Sequence, residues 1–216
     1  MKILITGTSR GIGKATAEKF LSLGHTVVGL DIAPSAIARE NYSHFICDVA
    51  IDPLPSIDGV EILIPNAGVQ TQTEKDISVN LGGTIRVVEN YAFQPKIKAV
   101  VTVASSSGST GAEFPEYAAS KGGVIAYTKN VAQRLAPYGA TANSISPGGV
   151  ITELNDHILK DEKLYDAVKK EALLHKWATA EEIAEWIYFI AVVNKSMTAQ
   201  DILIDNGEAA KFNFIW

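Results

Sequence analysis

The sequence predicts an α/β fold: one domain over residues 1–216, built on a doubly wound parallel sheet of about seven strands with helices on both faces. Three observations carry this. Short β-rich runs alternate with helical patterns along the chain. Several runs, such as Ala99-Val100-Val101-Thr102-Val103, are almost wholly apolar, as strands covered on both faces must be. The first run, Ile3-Leu4-Ile5, leads through the glycine-rich turn Thr6-Gly7-Thr8-Ser9-Arg10-Gly11-Ile12-Gly13 into the helical pattern that starts at Lys14.

Taken in order, the strands are expected at 2–6, 26–31, 44–48, 61–66, 99–105, 141–146 and 201–205. The clearest helices are expected at 14–23, 75–93, 116–135 and 180–193. Two connections are short. Between Asp31 and His44 there is room for one or two helical turns, and between Asp48 and Glu61 the prolines Pro53 and Pro55 oppose a regular helix. The sheet is therefore expected to be thinly covered near that edge. There is no repeat, low-complexity segment or linker.

Composition narrows the function. The chain has 216 residues, a net charge of -5 and 47% hydrophobic residues, which suits a folded core. No basic stretch invites nucleic acid, and no apolar run reaches the length of a membrane span. One cysteine, Cys47, excludes an internal disulfide and reads as a small buried apolar residue. The expectation is a cytoplasmic protein acting on a small molecule, with no nucleic acid, membrane or metal.

The glycine segment is the first candidate site. Glycines at 7, 11 and 13 let the backbone turn sharply and let a ligand come close. The helix that follows offers unpaired N–H groups and a partial positive charge to a pyrophosphate. Asp31 ends the second strand 18 positions beyond Gly13, where an acid can accept from adenosine ribose hydroxyls and repel a 2′-phosphate. That favours NAD over NADP. Arg10, within the loop, is the counter-argument, because a guanidinium suits a 2′-phosphate. Asp31 can also simply cap the turn Ile32-Ala33-Pro34.

Tyr117-Ala118-Ala119-Ser120-Lys121 is the second. Positions i and i+4 share a helix face, and a lysine ammonium there favours the phenolate, making Tyr117 a general acid/base near neutral pH. Ser105, at the end of a buried strand, offers a hydroxyl to a substrate oxygen, with Ser106 in reserve.

In these motifs, in Asp48-Val49, Asn66-Ala67-Gly68, Asn80 within Val79–Gly83, Asn143, Pro147-Gly148 and the run 199–207, the chain resembles the short-chain dehydrogenase/reductase family nearly end to end. The resemblance implies a Rossmann-type domain and assigns roles. Tyr117 is the proton donor or acceptor, Lys121 lowers its pKa and holds the nicotinamide ribose, and Ser105 polarises the substrate oxygen. Asn80 holds a water in a proton relay from Lys121. Asp48 binds the adenine amino group with Val49 beside it. Asn66, Ala67 and Gly68 line the cofactor with backbone atoms, and Pro147, Gly148 and Thr152 flank the nicotinamide. The loop residues Gly7, Ser9, Arg10, Gly11, Ile12 and Gly13, with Asp31, complete the cofactor site.

The implied activity is hydride transfer between NAD(H) and a small alcohol or ketone. The rival readings are an NADP-linked carbonyl reductase and a non-catalytic dinucleotide sensor on the same fold. The segments 101–105 and 198–202 also resemble dihydrodiol and dihydroxybenzoate-precursor dehydrogenases. One departure is Pro65, where the family usually has a second asparagine; its missing N–H predicts a shifted strand end.

Residues 150–176 fall where the family places its substrate lid, with 154–174 expected to be helical and His157 a candidate substrate contact or a solvated side chain. The resemblance implies a homo-oligomer, dimer or tetramer, built on helices 75–93 and 116–135. The apolar tail 211–216 is expected to pack on its own domain or a neighbour.

Overall fold

The computed structural model describes residues 1–112 and 114–211. The elements in chain order are β1 (Lys2–Thr6), α1 (Gly11–Ser22), β2 (Thr26–Asp31), β3 (Tyr42–Ile46) and β4 (Ile62–Ile64). A π-helical segment, Asp76–Gly83, runs directly into α2 (Thr84–Tyr91). Then follow β5 (Ala99–Val103), α3 (Ser107–Thr110), α4 (Pro115–Leu135), β6 (Thr141–Pro147), β7 (Val150–Ile151), α5 (Asp156–Leu159), α6 (Glu162–Lys169), β8 (Ala178–Thr179), α7 (Ala180–Tyr188) and β9 (Asp201–Ile204).

Seven strands form one sheet in the order β3-β2-β1-β4-β5-β6-β9, and every pair is parallel. Chain direction across the sheet reverses between β1 and β4, and in such sheets ligands bind beyond the strand C-termini at that crevice. β7 and β8 form a separate small ladder.

The strand period of two sorts the core onto two faces. Ile3, Ile5, Ile62, Ile64, Val101 and Ile145 pack with Phe20 of α1 and Ile183 and Ile187 of α7. Leu4, Val28, Leu63, Val100 and Ala142 pack with Val87, Val88 and Tyr91 of α2 and Val131 and Leu135 of α4. Each fully buried aliphatic side chain contributes roughly 1.5–3 kcal/mol of transfer free energy. α7 starts with a capping box, Thr179 and Glu182 each accepting from the other's backbone N–H.

Three expectations change. The third strand lies two residues earlier than the sequence suggests, because Val27 pairs with Tyr42 and Asp31 with Ile46. Its polar opening, Tyr42-Ser43-His44, belongs to an edge strand, and the side chain of Asp48 ends the run by accepting from Ala50 N–H. The 75–93 helix is π-helical in its first half. The segment 154–174, expected to be helical, is not one helix but the end of a 3₁₀ turn (Glu153–Asn155) and the short α5 and α6.

Two expectations are met. No helix forms in residues 49–60, and near the β3 edge Ile46, Ile51 and Phe45 are exposed. β4 stops at Ile64, one residue before Pro65, whose carbonyl still accepts from Val103 N–H. Cys47 is buried, and burial pushes its thiol pKa up. Most of the tail, residues 212–216, lies outside the described residues.

Candidate active site

A cavity of about 450 Å³ opens beyond the C-terminal ends of β1, β2, β4, β5 and β6. Its floor at one end is the glycine turn. Gly7 and Gly11 take positive φ (74° and 53°), and Arg10 in extended conformation is the N-cap of α1. The first-turn amides of α1, including Gly11 and Ile12 at the cavity wall, precede any intrahelical bond, and no acidic residue stands in that turn. Gly13 is not at the cavity surface. A Cβ there would lie 1.9 Å from the Gly7 carbonyl oxygen, so this glycine lets α1 dock against the turn.

Asp31 lines the cavity, and its carboxylate also braces the turn. Oδ2 accepts from Ser9 N–H (2.9 Å) and Oδ1 from Ala33 N–H (2.9 Å). The turn-capping reading is thus correct, and it fixes the carboxylate at the cavity rim. Ser9 braces this carboxylate: its hydroxyl donates to the Ala33 carbonyl and its amide to Asp31.

Asp48, Val49, Asn66, Ala67 and Gly68 all line the cavity. The Asn66 side chain is turned inward, donating to the carbonyls of Thr6 (2.9 Å) and Gly7 (3.3 Å). Thr6 Oγ1 accepts from the amides of Asn66 and Ala67, a tie that sequence reasoning missed. The Asn66 side chain, engaged in this way with Thr6 and Gly7, is not available to the cavity.

At the other end stand Ser105, Tyr117 and Lys121, with Ser106 beside them. Ser105 follows β5, and its Oγ accepts from Ser107 N–H (3.2 Å). Tyr117 and Lys121 share a face of α4, with Lys121 Nζ 5.7 Å from the phenol ring centre. Lys121 is buried and donates to the Val103 carbonyl (2.9 Å). Burial pushes its pKa down to about 8, against the opposing field of Asp76.

Asn80 is brought next to this group but does not face the cavity. Its Oδ1 accepts from Val69 N–H (2.7 Å), and its Nδ2 donates to the Val69 carbonyl (2.9 Å) and to Ser120 Oγ (3.0 Å). The side chain is a brace between the 66–70 loop and α4. Asn143 likewise ties β6 to the loop before β9, donating to the Met197 carbonyl and accepting from Gln200 N–H.

Pro147, Gly148 and Thr152 line the cavity, with Thr152 packed where a Gly11 Cβ would meet it at 3.4 Å. His157 lines the lid side with Ile158, Val168 and Glu171. Trp177 and Phe114 were missed. Trp177 sits one residue past the expected lid, its indole against Gly149 and edge-on to Tyr165 at 5.6 Å. The only available signal was a large aromatic between a charged stretch and a short apolar run.

Residues 58–208 match the family model described as enoyl-(acyl carrier protein) reductase. The chain belongs to the short-chain dehydrogenase/reductase family. It is similar to 3-oxoacyl-(acyl-carrier-protein) reductase FabG of Aquifex aeolicus (28% identical, covering 94% of this chain and 95% of that one). Among solved structures it is similar to 4-hydroxyisoleucine dehydrogenase complexed with NADH (26% identical, TM-score 0.85, covering 98% and 99%). It is also similar to a putative 2-deoxy-d-gluconate 3-dehydrogenase from Agrobacterium tumefaciens with bound NADP (25% identical, TM-score 0.87, covering 97% and 96%). The chain is thus an oxidoreductase-family domain whose neighbours bind nicotinamide cofactors of both kinds.

The cavity fits such a cofactor on its own chemistry. It joins unpaired helix-terminal amides, a glycine floor and an acidic rim to a tyrosine–lysine pair. Among the described residues no His, Cys, Asp and Glu cluster has the form of a metal site.

Proposed function

We propose that the protein transfers a hydride between NAD(H) and a small-molecule alcohol or ketone. The observation that carries this is one cavity lined by Asp31 at the glycine turn and by Ser105, Tyr117 and Lys121 at its far end. The nicotinamide cofactor supplies the hydride chemistry. Gly7, Gly11 and Ile12 hold its pyrophosphate on the α1 N-terminus, and Asp31 accepts from the adenosine ribose. Asp48 and Val49 flank the adenine, and the backbone of Asn66–Gly68 lines the middle of the cofactor. Pro147, Gly148 and Thr152 flank the nicotinamide.

Ser105 donates to the substrate oxygen, and Tyr117 gives or takes the proton at that oxygen. Lys121, a buried ammonium one turn away, favours the phenolate electrostatically. A non-catalytic sensor would have no use for a buried lysine beside a cavity-facing tyrosine. The same family membership supports a homo-oligomer built on α2 and α4 and a cytoplasmic setting.

NAD is preferred because Asp31 is held at the rim by two amides and would meet a 2′-phosphate with like charge. The rival, NADP, rests on Arg10, which also lines the cavity. Titrating the apoprotein with NADH and NADPH by nicotinamide fluorescence tests both. Tight NADH and weak NADPH binding is expected, and Asp31→Ala should narrow the gap by tenfold or more, which is about 1.4 kcal/mol. The reverse preference makes Arg10 the determinant. Tyr117→Phe should keep NADH binding and lose about 10²–10⁴-fold in turnover. Near-normal activity in that variant refutes the acid/base assignment, and binding of neither nucleotide refutes the oxidoreductase reading.

A further inference from the structure

Asp76 is a carboxylate sealed inside the protein, with 0% exposure, on a segment packed against the helix that carries the candidate catalytic lysine. It opens the π-helical segment that packs against α4. Its oxygens accept three hydrogen bonds, all from neutral donors: Thr71 N–H (2.8 Å), Thr71 Oγ1 (2.9 Å) and Gln72 N–H (3.0 Å). Among the described residues no cation pairs with it directly. Burying an ionised carboxylate without a compensating charge is costly, and three neutral hydrogen bonds only partly offset that.

The compensating charge lies across a short chain of contacts. One helical turn after Asp76, Asn80 grips Val69 at both its amide and carbonyl and reaches Ser120, the neighbour of Lys121. Asp76 and Asn80 thus pin the strap 68–72 at two points, and Gln72 is held at a φ of 57°. Gly68, at the head of that strap, is where the lysine arrives: a Cβ there would lie 3.4 Å from Lys121 Nζ.

The other elements around Nζ bring no charge. β5 offers the Val103 carbonyl. Residues 68–72 are uncharged, and α3 packs Gly108 against the Lys121 backbone. On α4 itself the titratable neighbour is Tyr117.

We propose that Asp76 is a positioning residue for the reaction, fixing the strap that floors the nicotinamide end of the cavity and supplying the negative charge that keeps the buried Lys121 an ammonium at neutral pH. Burial alone drives the lysine towards its neutral form, which would no longer favour the Tyr117 phenolate. Asp76 opposes that drive from within the core, where screening by salt is weak. The inference rests on the oxidoreductase reading for its catalytic meaning, but its electrostatic content is measurable without turnover.

The test is the Lys121 titration midpoint, followed by NMR in protein carrying ¹³C-labelled lysine and assigned by loss of the signal in Lys121→Met. The wild-type midpoint is expected near 8. Asp76→Asn, nearly isosteric, should lower it by about a unit or more. Asp76→Ser, smaller and still an acceptor, carries the same expectation should the amide variant fail to fold. Thr71→Val removes the hydroxyl's hydrogen bonds with Asp76 and Thr73 but keeps the charge, and should leave the midpoint in place.

An unchanged midpoint in both Asp76 variants overturns the proposal, as does an equal shift in Thr71→Val, which would make the effect one of strap geometry. A midpoint that falls as expected in a protein that neither binds NADH nor turns over a substrate would sink the oxidoreductase reading and leave the charge pairing intact.

Discussion

At the scale of the residue, Lys121 sets a stability cost against a chemical use. Its folded pKa of about 8 lies below the ordinary 10.5 because burial penalises the ammonium. Between those values the unfolded chain binds more protons than the folded one, so this group makes stability rise with pH across that window. Lys121→Met has no such group. Urea unfolding of the two proteins from pH 7 to 10 should show the wild type gaining on the variant, by up to roughly 3 kcal/mol. A constant difference would mean that the lysine stays protonated in the folded state up to pH 10, so that burial has not lowered its pKa.

The i and i+4 spacing of Tyr117 and Lys121 was legible in the sequence, because helix geometry alone puts them on one face. Asp76 was not, since an acid near a helix start reads as an ordinary first-turn residue on a solvated face. Nothing local marks it as buried. The same limit applies to Ser9, whose partners, Asp31 and Ala33, are brought there only by the pairing of β1 with β2.

At the scale of the element, strands buried on both faces were readable almost to the residue: β1 and β2 have the expected bounds. Apolar runs between turn residues leave little choice of register. The edge strand β3 was misplaced because its residues are half solvated and its position is set by hydrogen bonding to β2, not by its own pattern. The π-helical opening before α2 was also invisible, since a π turn shares its composition with an α turn.

The lid shows what loop chemistry hides. Gly149 reads as part of a turn signal, yet a Cβ at this position would come within 2.2 Å of the Trp177 indole nitrogen. Gly149→Ala therefore displaces the Trp177 wall while leaving the glycine turn of the cofactor end untouched. Overpacking of this kind typically costs 1–3 kcal/mol. The expected outcome is a Tm lowered by a few degrees, an unchanged NADH dissociation constant, and a substrate KM that moves several-fold. A change in NADH affinity with no change in KM would place Trp177 outside the substrate end.

At the scale of the whole molecule, charge is distributed unevenly along the cavity. The net charge is -5, and the cationic side chains lining the cavity are Arg10 at the glycine turn and Lys121 behind Tyr117. Residues 150–176 instead contribute Glu153, His157 and Glu171 to the lining, and Glu208 lines the cavity too. Three of the five lysines in that segment are held by carboxylates, Lys160 by Asp156, Lys169 by Asp166 and Lys176 by Glu182, and none of the five lines the cavity. Anion-stabilising chemistry is thus concentrated at the α1 N-terminus, the end that the proposed reading gives to the pyrophosphate. A substrate bearing a carboxylate would meet like charge at the lid, at a cost on the order of 1 kcal/mol or more per pair at near-surface dielectric. Between two alcohols of equal size, the uncharged one should therefore show a kcat/KM about tenfold higher than its carboxylate analogue. Because the lid carboxylates are partly solvated, that gap should narrow between 0.01 and 0.5 M salt as the screening length falls. Glu171→Gln should narrow it further at low salt without altering NADH binding. A carboxylate substrate that is preferred, or a gap indifferent to salt, would show that contacts rather than the cavity's field choose the substrate.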